Sequence, residues 1–240
     1  MNFARAFGCI VLCALVSGCL ESLPFRLGGT TTRVDELPMY GGMDRSKVPE
    51  LKAGDEKFIA DVTAQFGSRE RASDAWTEQG FEFYRQDKLD MAMRRFNQAW
   101  LLNPSNPEVY SGFASILSDQ RKFCEAKNML DIGFAKGPIQ DGFLADAALI
   151  YTACPVQNTS MNSAERQTSF RRSDELLQKA FSSPTVRKTY VLNQWVKVLL
   201  FREDYARAWQ KVFEHRKVVG SDIDPRVLAE LRSRMPEPRQ

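Results

Sequence analysis

One offset organises most of this chain: from Ser73 onward, large, small and proline positions recur 34 residues apart. Trp76, Gly80, Phe83, Leu89, Ala92, Phe96, Ala99 and Pro104 form one series. Tyr110, Ala114, Leu117, Phe123, Ala126, Leu130, Gly133 and Pro138 form the next, with big residues matching big and proline matching proline. Such a period marks supersecondary units that bury their apolar faces only by leaning on their neighbours. Within a unit the spacing is helical, so Trp76, Phe83 and Phe96 fill one space between two helices. Gly80 and Ala92 suit a close helix crossing, and Pro104 closes the second helix because the residue before a proline avoids helical dihedrals. The expectation is an all-α chain.

The order of aromatic, small, aromatic, bulky, alanine, aromatic, alanine and proline resembles the tetratricopeptide repeat family over about residues 73–220. The resemblance implies a solenoid of about four helix pairs. Leu144, Ala147, Ala148 and Tyr151 continue the first-helix pattern of a third unit, and Phe170, Ser173, Leu177, Ala180 and Pro184 give its second helix. Nineteen residues separate Tyr151 from Phe170 where the earlier units have 6, an insertion of 13. The polar stretch 155–168 is therefore expected as a surface loop with a helical turn near 164–168. Leu192, Val196, Leu199, Tyr205, Ala208 and Val212 fit a fourth pair. Asp224-Pro225 opens a C-terminal capping helix to about Arg234, and Asp55–Phe66 with Gly67 after it reads as an N-terminal packing helix. The helical domain is placed at 53–235.

The N-terminus has a different character. Arg5 is followed by the apolar run 7–16 and the small residues Ser17 and Gly18, the layout of a secretory signal over residues 1–18. The run is too short to span a bilayer, which needs about 20 apolar residues. Leu15-Val16-Ser17-Gly18-Cys19 resembles a bacterial lipobox, which implies cleavage before Cys19 and acylation of its thiol. Each buried acyl methylene contributes about 0.8 kcal/mol, so two or three chains anchor a protein firmly. Leu20, rather than aspartate, follows that cysteine; by resemblance to proteobacterial lipoproteins this implies the outer membrane, with the chain facing the periplasm. The mature chain would hold 222 residues with a charge of +2. Gly28-Gly29, Gly41-Gly42 and prolines 24, 38 and 49 make residues 19–52 read as a lipidated cysteine and a flexible tether.

Composition narrows the chemistry. A net charge of +3, from 33 basic and 30 acidic residues, gives no footprint for nucleic acid. The single histidine, His215, falls at a packing position and excludes a multi-histidine metal site. No phosphate-binding loop, dinucleotide fingerprint, nucleophile elbow or zinc-protease motif is present in the sequence. No catalytic residue, cofactor or metal is expected, and the chain reads as a non-enzyme.

Five cysteines become two once Cys9 and Cys13 leave with the signal and Cys19 is acylated. The repeat resemblance puts Cys124 at the start of one helix and Cys154 at the end of the next, antiparallel one. In an oxidising compartment that implies a disulfide; two separate thiols are the alternative. The resemblance also implies a concave face built from first helices. Inward positions map to Thr77, Phe81, Tyr84 and Arg85, then Ser111, Ser115, Ser118 and Asp119, then Ala145, Leu149 and Thr152, and last Asn193, Lys197, Leu200 and Phe201. Such a groove suits a partner's helix or extended segment. Lipoproteins of this build serve as pilotins of secretins, as parts of outer-membrane folding machines and as recruiters of peptidoglycan hydrolases. The expected function is thus an assembly factor or pilotin-like adaptor for an envelope complex. An immunity or inhibitor lipoprotein that blocks a toxic enzyme is the competing expectation.

Overall fold

A computed structural model describes residues 33–239. The expected signal 1–18, Cys19 and Leu20 lie outside them. Every regular element among the described residues is helical. In chain order these are α1 (Pro49–Phe66), α2 (Arg69–Arg85), α3 (Leu89–Leu102), α4 (Pro107–Asp119) and α5 (Phe123–Lys136). There follow α6 (Leu144–Gln157), α7 (Ser163–Ser182), α8 (Lys188–Phe201), α9 (Tyr205–Val219) and α10 (Pro225–Arg234). Among these elements, no helix is long and apolar enough to cross a membrane.

The helices pack as consecutive pairs, α2 with α3, α4 with α5, α6 with α7 and α8 with α9. First helices also touch, α2 against α4 and α6 against α8, while α1 covers α2 and α10 lies on α8 and α9. Three of the four turns share one construction. Asp87, Arg121 and Glu203 take left-handed dihedrals, with φ of 58°, 60° and 58°. Around them Lys88 N–H bonds to Phe83 O, Lys122 N–H to Leu117 O and Asp204 N–H to Leu199 O, at 3.0, 2.8 and 2.9 Å. This is the Schellman closure, which satisfies the last carbonyls of the first helix and reverses the chain. The 34-residue step from Asp87 to Arg121 thus recurs in backbone geometry as well as in side chains.

Phe96 shows how the first pair meets the next. Its ring is fully buried between Gly80 of α2 and Gly112 of α4, and its edge meets the rings of Phe81 and Phe113. Short hydroxyls serve the other crossings. Ser73 Oγ donates to Ala99 O at 2.9 Å, and Ser173 Oγ to Ala148 O at 2.8 Å. Asn106 caps α4 by accepting from Glu108 N–H and also donates to Ser73 Oγ and Asp74, both at 3.0 Å. Between the third and fourth pairs, Arg202 donates to Asp174 at 2.7 Å, Phe170 O at 2.9 Å and Thr152 Oγ1 at 3.1 Å.

Three expectations need correction. First, the flexible tether ends earlier than residue 52, because residues 33–48 are folded against the body. Asn97 is fully buried on α3; its Nδ2 donates to Asp35 O and Leu37 O at 3.0 and 2.9 Å, and its Oδ1 accepts from Tyr40 N–H at 3.2 Å. Tyr40 is buried with its edge on Trp100, and Arg45 lies over its ring and pairs with Asp55. Glycine and proline here shape a docked turn, with Gly41 at φ 65° and Gly42 at φ 77°. Asn97→Ala strands these backbone groups at a loss of about 1–3 kcal/mol. Limited proteolysis should then cut within 33–48 while the α2–α10 core stays intact.

Second, α1 starts at Pro49 rather than Asp55, since proline is suited to a first helical position. Third, most of the expected loop at 155–168 is helix. Pro155 lies inside α6 and cannot donate to Tyr151 O; Ser169 Oγ from α7 donates to that carbonyl instead, at 2.6 Å. A capping box of Asn162 and Glu165 starts α7, leaving only residues 158–162 outside helix. The insertion lengthens the pair; it does not form a projecting loop.

Candidate groove on the first helices

The first helices carry polar and aromatic side chains on a shared face, and together they wall a groove of about 860 Å³. α2 gives Phe81, Tyr84 and Arg85, α4 gives Ser115, Ser118 and Asp119, α6 gives Asp146 and Leu149, and α8 gives Tyr190, Gln194 and Lys197. Of the residues expected at this face, Phe81, Tyr84, Arg85, Ser115, Ser118, Asp119, Leu149 and Lys197 are brought together there.

The others lie elsewhere, each for a local reason. Thr77 is buried and its Oγ1 donates to Ser73 O at 2.7 Å. Ser111 is buried and its Oγ donates to Glu108 O at 2.9 Å. Ala145 and Thr152 are fully buried, Thr152 through a 2.9 Å bond to Ser173. Asn193 Oδ1 accepts from Asp224 N–H at 3.3 Å and so faces the start of α10. Leu200 packs into the core shared by α8, α9 and α10, and Phe201 meets Phe123 edge-on at 6.2 Å. The groove therefore ends at Lys197.

Asp146 is the residue that pattern reading missed. It interrupts the otherwise apolar run Leu144–Ile150, and that lone acid was the available signal. Tyr190 O–H donates to its carboxylate at 2.5 and 2.6 Å, and Gln194 Nε2 donates to the same group. Gln194 Nε2 also donates to Tyr190 O at 3.0 Å. Burial holds the Asp146 carboxyl above the ordinary carboxylate range, against the opposing pull of these two donors and Lys197. Across the groove, burial and a hydrogen bond to Asp119 push the Tyr84 phenol up. Burial and the Asp146 charge do the same for Tyr190.

A raised carboxyl pKa binds its proton more tightly folded than unfolded. Its stabilising contribution is present at acid pH and fades as pH rises through the folded pKa. Asp146→Asn should therefore flatten part of the fall in unfolding free energy from acid toward neutral pH. Glu108, also raised by burial, should add a second contribution of the same sign, lost in Glu108→Gln, while carboxyls held low by arginine partners, Glu237 and Asp204 among them, contribute the opposite slope. Urea midpoints at several pH values measure both; an unchanged slope in Asp146→Asn would contradict the assignment.

A disulfide joins Cys124 at the start of α5 to Cys154 near the end of α6, with Cα atoms 4.6 Å apart. His215 is buried at the end of α9, its Nδ1 3.0 Å from Ser221 O. It fastens a turn and has no contact with the groove. Among the described residues no cluster of three or more acidic, histidine or cysteine side chains suits a metal ion. The lining of the groove thus interleaves aromatic, amide and charged side chains. No protein-family model matches this chain, and no curated protein matches it.

Proposed function

We propose that the chain is a tetratricopeptide-type lipoprotein of the outer membrane, facing the periplasm. Its groove would hold a segment of another envelope protein during assembly of an envelope complex. The observation that carries this reading is the groove walled by four successive first helices, with apolar and hydrogen-bonding side chains interleaved. Two features support the rest. The repeated turn at Asp87, Arg121 and Glu203 suits a tetratricopeptide solenoid. The Cys124–Cys154 disulfide suits an oxidising compartment, as export through a lipobox ending at Cys19 requires.

The lipid and the groove have separate roles. Acylated Cys19 would hold the body at the membrane, and thirteen residues, 20–32, separate it in sequence from the docked segment 33–48. Thirteen residues span at most about 45 Å when fully extended. The partner segment would be met close to the membrane surface.

Affinity capture from envelope extracts tests the binding half. Leu149→Glu puts a charge among the apolar groove contacts, and recovery of the specific partner should fall at least about tenfold. Phe201→Ala, outside the groove, should recover it normally. Identical partner sets from wild type and Leu149→Glu would overturn the proposal. Membrane fractionation tests the other half, because Cys19→Ser should release the chain from the outer-membrane fraction.

A further inference from the structure

The groove is not uniform, and its α6–α8 wall is poor in donors. Tyr190 gives its one proton to Asp146, so its oxygen can only accept from Gln194. Gln194 is 5% exposed, and its Oε1 has no hydrogen-bond partner among the described residues. The amide cannot profit from turning over, because Oε1 would then face the Asp146 carboxylate, acceptor against acceptor. Its head group lies inside the cluster, since Nε2 bonds to both Asp146 and Tyr190. Asp119 faces the same space from α4. Lys197 lines it as well, and its positive charge draws the Asp146 carboxyl down.

Two carboxylates, an unpartnered amide oxygen and the rings of Phe81, Tyr84 and Tyr190 thus share one stretch of groove. Lys197 aside, this set lacks free N–H donors and positive charge to match its two carboxylates, and it offers aromatic faces. A guanidinium supplies all that is missing: five donors in a plane, a permanent charge and a flat surface for stacking. An ammonium carries the charge without the plane.

We propose that this stretch is a subsite for an arginine side chain of the bound partner segment, its guanidinium recognised by Asp146 and Asp119. The proposal rests on the groove reading above and adds the chemistry of its occupant. Pairing of the cation with Asp146 requires the ionised carboxylate, so binding releases a proton wherever the free site holds one. The charged and titratable groups facing this space are Glu78, Tyr84 and Arg85 from α2, Glu108 and Asp119 from α4, and Tyr190 and Lys197 from α8, with Arg187 just before α8. Arg85 is already paired with Glu78 and Glu82 at 2.9 and 2.8 Å.

The test uses the full chain and two small probes, Nα-acetyl-arginine N-methylamide and its citrulline counterpart, which keeps the planar urea but has no charge. Titrations followed by the side-chain amide resonance of Gln194 should show the arginine probe binding about tenfold tighter. Asp119→Asn, at the exposed rim where folding is not at stake, should erase most of that preference and leave the citrulline probe unchanged. Asp146→Asn should do the same and reduce the weakening of arginine binding toward acid pH, leaving the part that Asp119 supplies. Equal affinity for the two probes, or no shift of Gln194 with either, would overturn the subsite. Loss of the subsite would leave the groove proposal standing, because that is decided by partner capture with Leu149→Glu.

Discussion

Gly112→Ala is expected to destabilise the protein by about 1–3 kcal/mol, an unusual loss for adding one methyl group to a helix. Alanine favours a helix over glycine by about 1 kcal/mol, so propensity alone predicts the opposite sign. Packing decides it. A Cβ at Gly112 would lie 2.5 Å from Phe96 Cζ, and one at Gly80 would lie 2.5 Å from Phe96 Cε1. The ring is caught between two backbones, and movement away from one glycine brings it onto the other. Gly80→Ala should therefore fail in the same way. Phe96→Ala is expected to lose about 3–5 kcal/mol through the cavity it opens. The compensating experiment is more specific: Gly112→Ala with Phe96→Leu should be more stable than the sum of the two single changes predicts. Urea unfolding monitored by circular dichroism measures each variant. Additive losses would show that the glycine and the ring do not oppose one another.

Removal of the disulfide is expected to lower stability by about 3–4 kcal/mol in the loop-entropy view, for a separation of 30 residues. That segment contains most of α5, the connection through Ile139 and most of α6, so the bond ties two successive pairs. Cys154 is almost completely buried, and Cys124→Ser/Cys154→Ser also places a hydroxyl in an apolar site. Cys124→Ala/Cys154→Ala separates the two effects: it should retain the entropic loss without the polar penalty. Denaturation midpoints with and without reductant should differ for the wild type and coincide for the alanine pair. Coincident wild-type midpoints would contradict the expected contribution.

The helix pairs were readable because packing imposes a period. Gly80, Ala92 and Phe96 must be small, small and large for two helices to cross, so the sequence records the crossing directly. Gly112 was not readable in this way. The 34-residue offset matches Gly80 with Ala114, and the ring that requires Gly112 belongs to the preceding pair. The groove was legible in its middle and misread at its ends. Thr77 and Ser111 look like polar surface positions, but short hydroxyls can bond to their own helix and remain buried. Asn193, Leu200 and Phe201 occupy plausible inward positions, yet α10 and Phe123 compete for them.

Other features depended on contacts between distant segments. Asn97 seemed one polar residue among others on α3, and only its three bonds to residues 35–40 reveal the docked strap. Pro155 is a strong local reason to end a helix, and Ser169 overrides it by satisfying the Tyr151 carbonyl, 18 residues before it in the chain. In both cases a buried backbone group found its partner across space, where local composition carries no record of it.

The most direct measurement of the central claim is site-specific photocrosslinking in cells. A photoreactive residue at Leu149 or Ser118, inside the groove, should capture one envelope protein as a discrete adduct. The same group at exposed Lys217, at the far end of α9, should not capture it. Arg85→Ala, which opens the groove rim, should leave the adduct in place, whereas Leu149→Glu with the crosslinker at Ser118 should abolish it. Adducts of equal strength from Ser118 and Lys217, or from Ser118 with and without Leu149→Glu, would contradict the claim that the groove holds the partner.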